Sequence, residues 1–182
     1  MVPRLLERYR KEITAQIMEK FAIKNRLAVP RIEKIVVNMG VKDGAADIKV
    51  LEKAMEELAV ITGQKPIMRR AKKAISNFKI RKGSAVGCKV TLRRAMMYEF
   101  MDRLINIAIP RIRDFRGVPR EAFDNAGNYT LGFPEQTIFP EIEYDRISRA
   151  QGMDITFVIK NAASKEQARE LLKLFGMPFE TD

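Results

Sequence analysis

The chain has 182 residues, enough for one domain with a hydrophobic core of its own. Hydrophobic residues make up 46% of the chain and charged residues 31%, a globular composition that argues against intrinsic disorder. The net charge of +11 predicts a polyanionic partner, whereas the absence of histidine and the single cysteine exclude disulfides within the chain, zinc sites and histidine-based catalysis.

The first part of the chain is predicted to form a helix, a strand and a second helix. Apolar residues at helical spacing predict an amphipathic helix over residues 3–21. Residues 35–40 alternate with a period of two, which predicts a strand that points Asn38 away from the core. Asp47 is predicted to cap the second helix, and Gly63 to end it.

The middle of the chain predicts two strands joined by a hairpin-like arm. Strands are expected over residues 66–70 and 87–93. In the second strand the apolar Cys88, Val90 and Leu92 alternate with the polar Lys89, Thr91 and Arg93. The tip of the arm, residues 77–83, is rich in charge and is expected to extend beyond the body of the protein.

The second half is less regular. A third helix is expected over residues 95–109, ended by Pro110. Short strands are predicted over residues 129–133, 137–142 and 154–160. Ser164 opens the last helix, with Gln167 completing a capping box. The elements together predict one α+β domain over 1–182, with an antiparallel sheet covered by helices on one face, an open face, and a protruding basic arm at about 74–84.

The positive charge is concentrated in one stretch. No acid occurs between Glu57 and Glu99, and the rest of the chain holds 23 bases against 23 acids. The eleven bases of this stretch are Lys65, Arg69, Arg70, Lys72, Lys73, Lys79, Arg81, Lys82, Lys89, Arg93 and Arg94. A block of one sign indicates a surface for phosphate groups or for an anionic membrane.

The predicted strands place part of this charge on a surface that suits RNA. Lys89, Thr91 and Arg93 would project from the open face that also carries Asn38, where cations neutralise phosphates and amides or hydroxyls bond ribose and base edges. At the tip of the arm, Phe78 and Ile80 could stack on a base. The competing interpretation is a solvated polar face with Phe78 folded into the hairpin.

Other patterns have simpler explanations. In residues 83–89 only three residues separate the two glycines, and Cys88 follows, so the spacing of a phosphate-binding loop is missing. Glu141, Glu143 and Asp145 have no further ligand groups nearby and indicate an acidic edge or protein contact rather than a metal site. Cys88 is expected to be a buried hydrophobe and not a reactive thiol.

Arg111, Arg113, Arg116 and Arg120 form a cluster around Phe115 that also contains acids, so protein, RNA or both stay open as its partner. Early charges interrupt any secretory signal and no apolar run approaches a membrane span, which predicts a soluble, cytoplasmic protein. An RNA-acting enzyme or chaperone and a peripheral membrane protein are the two alternatives. The first lacks histidine, zinc ligands and a nucleotide loop, and the second lacks a basic amphipathic helix.

Dispersed segments resemble the bacterial large-subunit ribosomal protein L-five family, the 5S-rRNA-binding protein, from end to end. They are residues 30–35, 38–41, 62–66, 78–81, 87–93, 110–117, 127–129, 139–142 and 152–156. The resemblance implies a structural protein of the central protuberance that anchors 5S rRNA, without catalysis, cofactor, metal, small-molecule substrate or membrane contact, and monomeric when free.

The resemblance also implies residue roles. The positions that match 5S rRNA contacts are Asn38, Gln64, Phe78 and Thr91, with Lys89 and Arg93 as phosphate partners. The arm would approach peptidyl-site tRNA through Lys79, Ile80, Arg81, Lys82 and Gly83. A bridge to a small-subunit head protein would lie within residues 111–117 and 134–146, through Arg111, Arg113, Asp114, Phe115, Arg116, Glu143 and Asp145. Further implied partners are 23S rRNA and other 5S-binding ribosomal proteins.

Overall fold

The structure, a computed structural model, describes residues 2–45, 47–142 and 149–180. They form an α+β fold with an open five-stranded antiparallel sheet, as the sequence predicts. The strands are β1 (Arg31–Gly40), β2 (Ile67–Arg70), β3 (Ala85–Leu92), β4 (Tyr129–Phe133) and β5 (Met153–Lys160). Their order across the sheet is β2-β3-β1-β5-β4.

The chain groups into two compact units. Unit 1 comprises Met1–Ile35, Arg93–Leu131 and Thr156–Asp182, and unit 2 comprises Val36–Leu92 and Gly132–Ile155. The prediction of a single domain is not tested by this grouping and stays a prediction.

The predicted N-terminal helix is confirmed and contains a wider turn. It consists of α1 (Arg4–Arg8), a π-helical turn (Tyr9–Ile13) and α2 (Thr14–Lys20). The hydroxyl of Thr14 donates a hydrogen bond of 2.7 Å to the carbonyl oxygen of Tyr9, five residues earlier. Such a bond fits the i to i+5 geometry of a π turn. The spacing of the apolar residues in the sequence does not predict this turn.

In unit 1, α4 (Arg94–Arg103) continues into a π-helical turn (Leu104–Ala108) and a 3₁₀ turn (Ile109–Arg111). The last helix is α5 (Lys165–Phe175), where Gln167 N donates to Ser164 Oγ over 3.3 Å. The side chain of Gln167 accepts from Ala163 N, one residue before the position expected for a capping box. An aromatic core joins these helices, with the Tyr9 ring stacked 5.9 Å from that of Phe175.

In unit 2, α3 (Ile48–Thr62) packs against β3. The Asp47 side chain accepts from Lys49 N at its start, and Gly63 ends it with φ 68°, both as predicted. Fully buried α3 residues are Leu51, Leu58 and Ile61, and the buried strand residues of this unit include Val37, Met39, Cys88, Val90 and Leu92. The core of unit 2 therefore lies between α3 and one face of β1 and β3.

The strand predicted over residues 137–142 is wrong. Gln136–Ile138 forms a 3₁₀ turn, Phe139 N donates to Gln136 O over 3.2 Å, and Ile142 N donates to Phe139 O over the same distance. These donors bond within the segment, and Pro140 has no N–H to offer a neighbouring strand. The alternating apolar residues therefore form successive turns instead of a sheet strand.

Candidate nucleic-acid interface

Polar residues of β1 and β3 lie on the side of the sheet opposite the core of unit 2. Along β1 the buried Val37 and Met39 alternate with the exposed Asn38. Along β3 the half-buried Lys89 and Thr91 alternate with buried apolar residues. Because the two strands are neighbours and both turn their buried residues to α3, these three polar side chains share the other face, as predicted.

Strand β2 adds two residues to this face that the sequence prediction missed. Its antiparallel register pairs Ile67 with Lys89 and Arg69 with Gly87, and directly opposed residues point to the same side of a sheet. The side chains of Ile67 and Arg69 are exposed. We use the term open face for Asn38, Ile67, Arg69, Lys89 and Thr91. The sequence offered only the alternation within residues 66–70. This stretch is too short to predict which residues face the core and which lie on the open face.

Gln64 is brought to the end of β3, also within unit 2. The left-handed turn at Gly63 ends α3, and the Thr62 hydroxyl donates to Leu58 O over 2.7 Å and accepts from Gln64 N over 3.4 Å. The Gln64 side-chain amide then donates to the main-chain oxygen of Thr91 over 3.3 Å. Gln64 and Thr91, which are 27 positions apart in sequence, therefore lie side by side.

Arg93 and Phe78 lie outside the strands. Arg93 follows β3 directly, is exposed, and stands at the start of α4, so the predicted strand ends one residue earlier than expected. Phe78 lies in the 3₁₀ turn Ser76–Phe78 of the loop between β2 and β3, where 68% of the residue is exposed. The alternative in which Phe78 folds into the hairpin is therefore wrong.

The loop between β2 and β3, residues 71–84, is held by its own main chain. Ile75 and Ile80 exchange two hydrogen bonds of 2.9 and 3.1 Å, and at the base Ala71 N donates to Ser84 O over 2.9 Å. The guanidinium of Arg70 adds a bond of 3.0 Å to Gly83 O. Residues 72–83 are exposed except for the half-buried Ile80. The hairpin-like arrangement is confirmed, whereas the protrusion of the arm stays a prediction.

The bases of the acid-free stretch are available to a partner. All eleven are exposed except Lys89, which is half-buried. Within the described part of the chain, none of them forms a salt bridge. Because internal carboxylates do not neutralise them, these side chains are free to pair with the phosphates of a nucleic acid and to displace the counterions condensed on it.

The predicted bridge residues are only partly described. Arg111, Arg113, Asp114 and Arg116 are exposed, and Phe115 is half-buried. Arg113 and Asp114 form a loose ion pair of 3.9 Å with both side chains at least 90% exposed, which contributes little to stability. Glu143 and Asp145 lie outside the described residues.

Cys88 and the glycine-containing segment agree with their simpler explanations. Cys88 is fully buried, and burial raises the pKa of its thiol to about 11, so it is a core residue and not a nucleophile. Residues 85–89 of the glycine-containing segment belong to β3, whereas a phosphate-binding loop would open a helix. Among the described residues, no helix is both long and apolar enough to span a membrane.

Binding of RNA by this surface is expected to depend steeply on salt. If about five phosphates are neutralised, a plot of log affinity against log salt should have a slope near −4. Fluorescence anisotropy of a labelled folded RNA between about 50 and 200 mM salt would measure it. Arg69→Ala should reduce the slope by about 0.9 if Arg69 contacts a phosphate. An affinity that does not change with salt, and so a slope near zero, would contradict the electrostatic role of the surface.

Comparisons with known proteins agree over nearly the whole chain. Residues 25–81 match the family described as ribosomal protein L5, and residues 85–179 match the ribosomal L5P family C-terminus. The chain is 56% identical over 179 residues to the large ribosomal subunit protein uL5 of Clostridium acetobutylicum, covering 98% of this chain and 99% of that one. It is 58% identical over 176 residues to the protein of the same name from Clostridium perfringens, covering 97% and 98% of the two chains.

Proposed function

The chain belongs to the ribosomal protein L5 family, and we propose that it anchors 5S rRNA in the central protuberance of the large ribosomal subunit through its open face. Family membership confirms the prediction of a structural, non-enzymatic ribosomal protein that works in the cytoplasm. The RNA and protein contacts below are proposals that build on this membership.

The observation that carries the proposal is the composition of the open face. Asn38 and Thr91 supply amide and hydroxyl groups beside the cations of Arg69 and Lys89. Such a mixture suits a folded RNA, because cations hold phosphates while amides and hydroxyls bond ribose 2′-hydroxyls and base edges. Gln64 extends this row of polar groups, and Arg93, next in the chain after β3, would add a phosphate contact.

The loop between β2 and β3 is proposed as the arm that contacts peptidyl-site tRNA. Lys79, Arg81 and Lys82 are exposed around the hydrogen-bonded pair Ile75 and Ile80. A loop whose main chain is already paired loses less conformational entropy on binding than a disordered one. Gly83, with φ 91°, turns the chain back towards β3. Phe78, exposed on the same loop, is proposed to contact 5S rRNA.

The remaining contacts concern other ribosomal partners. We assign the small-subunit head bridge to Arg111, Arg113, Asp114, Phe115 and Arg116, together with Glu143 and Asp145. The exposure of the arginines and of Asp114 supports this assignment. 23S rRNA and other 5S-binding ribosomal proteins complete the proposed partners, and the chain is proposed to be a monomer before it joins them.

The test of 5S rRNA binding uses single changes on the open face. Thr91→Ala and Asn38→Ala are each expected to weaken 5S rRNA binding by about 1 to 3 kcal/mol, because each removes a contact to ribose or base. Thr91→Val is a sharper version, since it removes only the hydroxyl and keeps a β-branched side chain. The main-chain oxygen of Thr91 still accepts from Gln64 in both variants. Filter binding at fixed salt measures the affinities.

Lys82→Ala is the matched control, because Lys82 belongs to the same basic stretch but to the loop, and its loss should leave 5S affinity nearly unchanged. tRNA and an RNA duplex serve as competitors at equal salt. The proposal fails if all three RNAs bind equally, or if Lys82→Ala is as damaging as Thr91→Ala.

A further inference from the structure

Unit 1 carries a second column of basic side chains, on α5. Lys165, Arg169 and Lys173 are exposed and spaced four residues apart, so they lie on one side of the helix with about 6 Å of rise between successive positions. Within the described residues, Arg169 and Lys173 form no salt bridge, and Lys165 Nζ donates to the main-chain oxygen of Phe123 over 3.4 Å. Glu166 and Glu170 also lie on this helix, but Glu170 is paired with Lys20, so Arg169 and Lys173 keep exposed positive charge that suits an anionic partner.

Two depressions of unit 1 adjoin this column. The first has a volume of about 340 Å³ and is lined by Arg120, Glu121, Phe123, Lys165, Glu166 and Arg169. The second, of about 480 Å³, is lined by basic, acidic and apolar side chains: Lys20, Arg120, Arg169, Glu170, Lys173, Met177, Pro178 and Phe179. Because Arg120 and Arg169 line both, the two depressions adjoin each other, and we refer to them together as the α5 groove.

The charge in the α5 groove is strongest in the second depression. Among the described residues that line it, Glu170 is the only acid, and its carboxylate is already paired with Lys20 at 2.8 Å. The first depression balances three bases with Glu121 and Glu166. An anion would therefore bind beside Arg169 and Lys173, and the first depression would receive a neighbouring, less charged part of the same ligand.

The second depression also has a fixed apolar wall. Phe179 is half-buried, and its ring lies 5.6 Å from the ring of Tyr129 and 6.3 Å from that of Phe123. Packing on two buried rings holds the Phe179 ring in place, so a flat group could rest on its accessible part. Aromatic surface beside guanidinium groups is the combination that binds bases and phosphates of single-stranded RNA.

We propose that the α5 groove is a second RNA-binding surface that takes a single-stranded stretch of RNA, distinct from the open face of unit 2. RNA fits better than an acidic peptide for two reasons. The rise between the basic residues of α5 is close to the distance between successive phosphates of a nucleic-acid strand. The apolar wall of Phe179 and Pro178 suits a base, whereas the carboxylates of an acidic peptide would gain nothing from it.

The test uses the full chain and a fluorescent uridine oligonucleotide of about ten nucleotides that carries one photoreactive 4-thiouridine. Arg169→Ala/Lys173→Ala is expected to weaken binding about tenfold and to reduce the salt slope by about 1.4, because two phosphate contacts are lost. Ultraviolet crosslinks of the original chain should map to peptides containing Phe123 or Phe179. Both substituted side chains are exposed, so circular dichroism should show an unchanged fold.

The matched control is Lys49→Ala/Lys53→Ala, which removes two exposed bases four residues apart on α3 and should leave oligonucleotide affinity within about twofold. The affinity of Arg169→Ala/Lys173→Ala for 5S rRNA, measured in parallel, should stay close to that of the original chain. Unchanged oligonucleotide affinity of this variant, or crosslinks confined to unit 2, would overturn the proposal. So would equally effective displacement of the oligonucleotide by deca-glutamate, which would make the groove a peptide site. The oligonucleotide measurement does not require 5S rRNA to bind, so it separates this proposal from the function of the open face.

Discussion

Gly87→Val is expected to lower the free energy of unfolding by about 3 kcal/mol, because no side chain fits at this position of β3. A Cβ atom on Gly87 would lie 2.4 Å from the carbonyl oxygen of Met39 and 3.4 Å from Cα of Gly40. Both neighbours are main-chain atoms of β1, so a side chain has to push the two strands apart. Asn38 precedes Met39 and Lys89 follows two residues after Gly87, so the same displacement should disturb the open face and weaken 5S rRNA binding.

Urea denaturation followed by circular dichroism measures the loss of stability. Gly40→Ala is the matched control, because a Cβ at Gly40 would meet nothing within 4 Å, and its stability should stay within about 0.5 kcal/mol of the original. If Gly87→Val unfolded at the same urea concentration as Gly40→Ala, the close approach of β1 and β3 would not be a constraint in solution.

The elements predicted correctly are those whose signals are local. Asp47 and Gly63 bound α3, and Ser164 begins α5, because a cap or a left-handed residue acts on its immediate neighbours. The face of the sheet on which Asn38 and Thr91 lie could also be predicted locally. In a strand with one buried face, every second side chain points away from the core. This local rule made three of the five residues of the open face predictable: Asn38, Lys89 and Thr91.

Features that depend on pairing between distant segments could not be predicted. Ile67 and Arg69 join the open face only through the register of β2 against β3, and that register is a property of two strands. The 3₁₀ turn at Gln136–Ile138 overlaps a predicted strand, and the Gln136 side chain there bonds groups from elsewhere in the chain, which no local pattern encodes. The π turn at Tyr9–Ile13 could not be predicted either, because it leaves the helical spacing of the apolar residues unchanged.

The buried amide of Gln136 joins three separate parts of unit 2. Its Nε2 donates to Glu57 Oε2 over 3.1 Å and to Arg149 O over 2.8 Å, and its Oε1 accepts from Gln151 N over 2.6 Å. Gln151 in turn donates to Gly40 O at the end of β1 over 2.8 Å. Gln136, which is 0% exposed, therefore connects Glu57 of α3 with the main chain at Arg149 and Gln151.

Gln136→Met is therefore expected to lower the free energy of unfolding by about 4 kcal/mol, because it keeps the volume but leaves Glu57, Arg149 O and Gln151 N without their partner. Gln16→Met, an exposed position on α2, is the matched control and should change stability by less than about 0.5 kcal/mol. Urea denaturation of both variants measures the difference in stability. Equal midpoints would show that the hydrogen bonds of Gln136 do not stabilise the fold.

The loss in Gln136→Met is also expected to depend on pH. Burial raises the pKa of the Glu57 carboxyl above its ordinary value, and the hydrogen bond from Gln136 partly counteracts this rise. Removing the bond should raise the folded-state pKa further. A carboxyl whose pKa is higher in the folded state destabilises that state above the folded pKa, and the penalty disappears as the pH falls below the unfolded value. The variant's deficit should thus be larger at pH 7 than near pH 4, and Glu57→Gln in the same background should remove that difference. A deficit that grows on acidification would contradict the assigned role of Glu57.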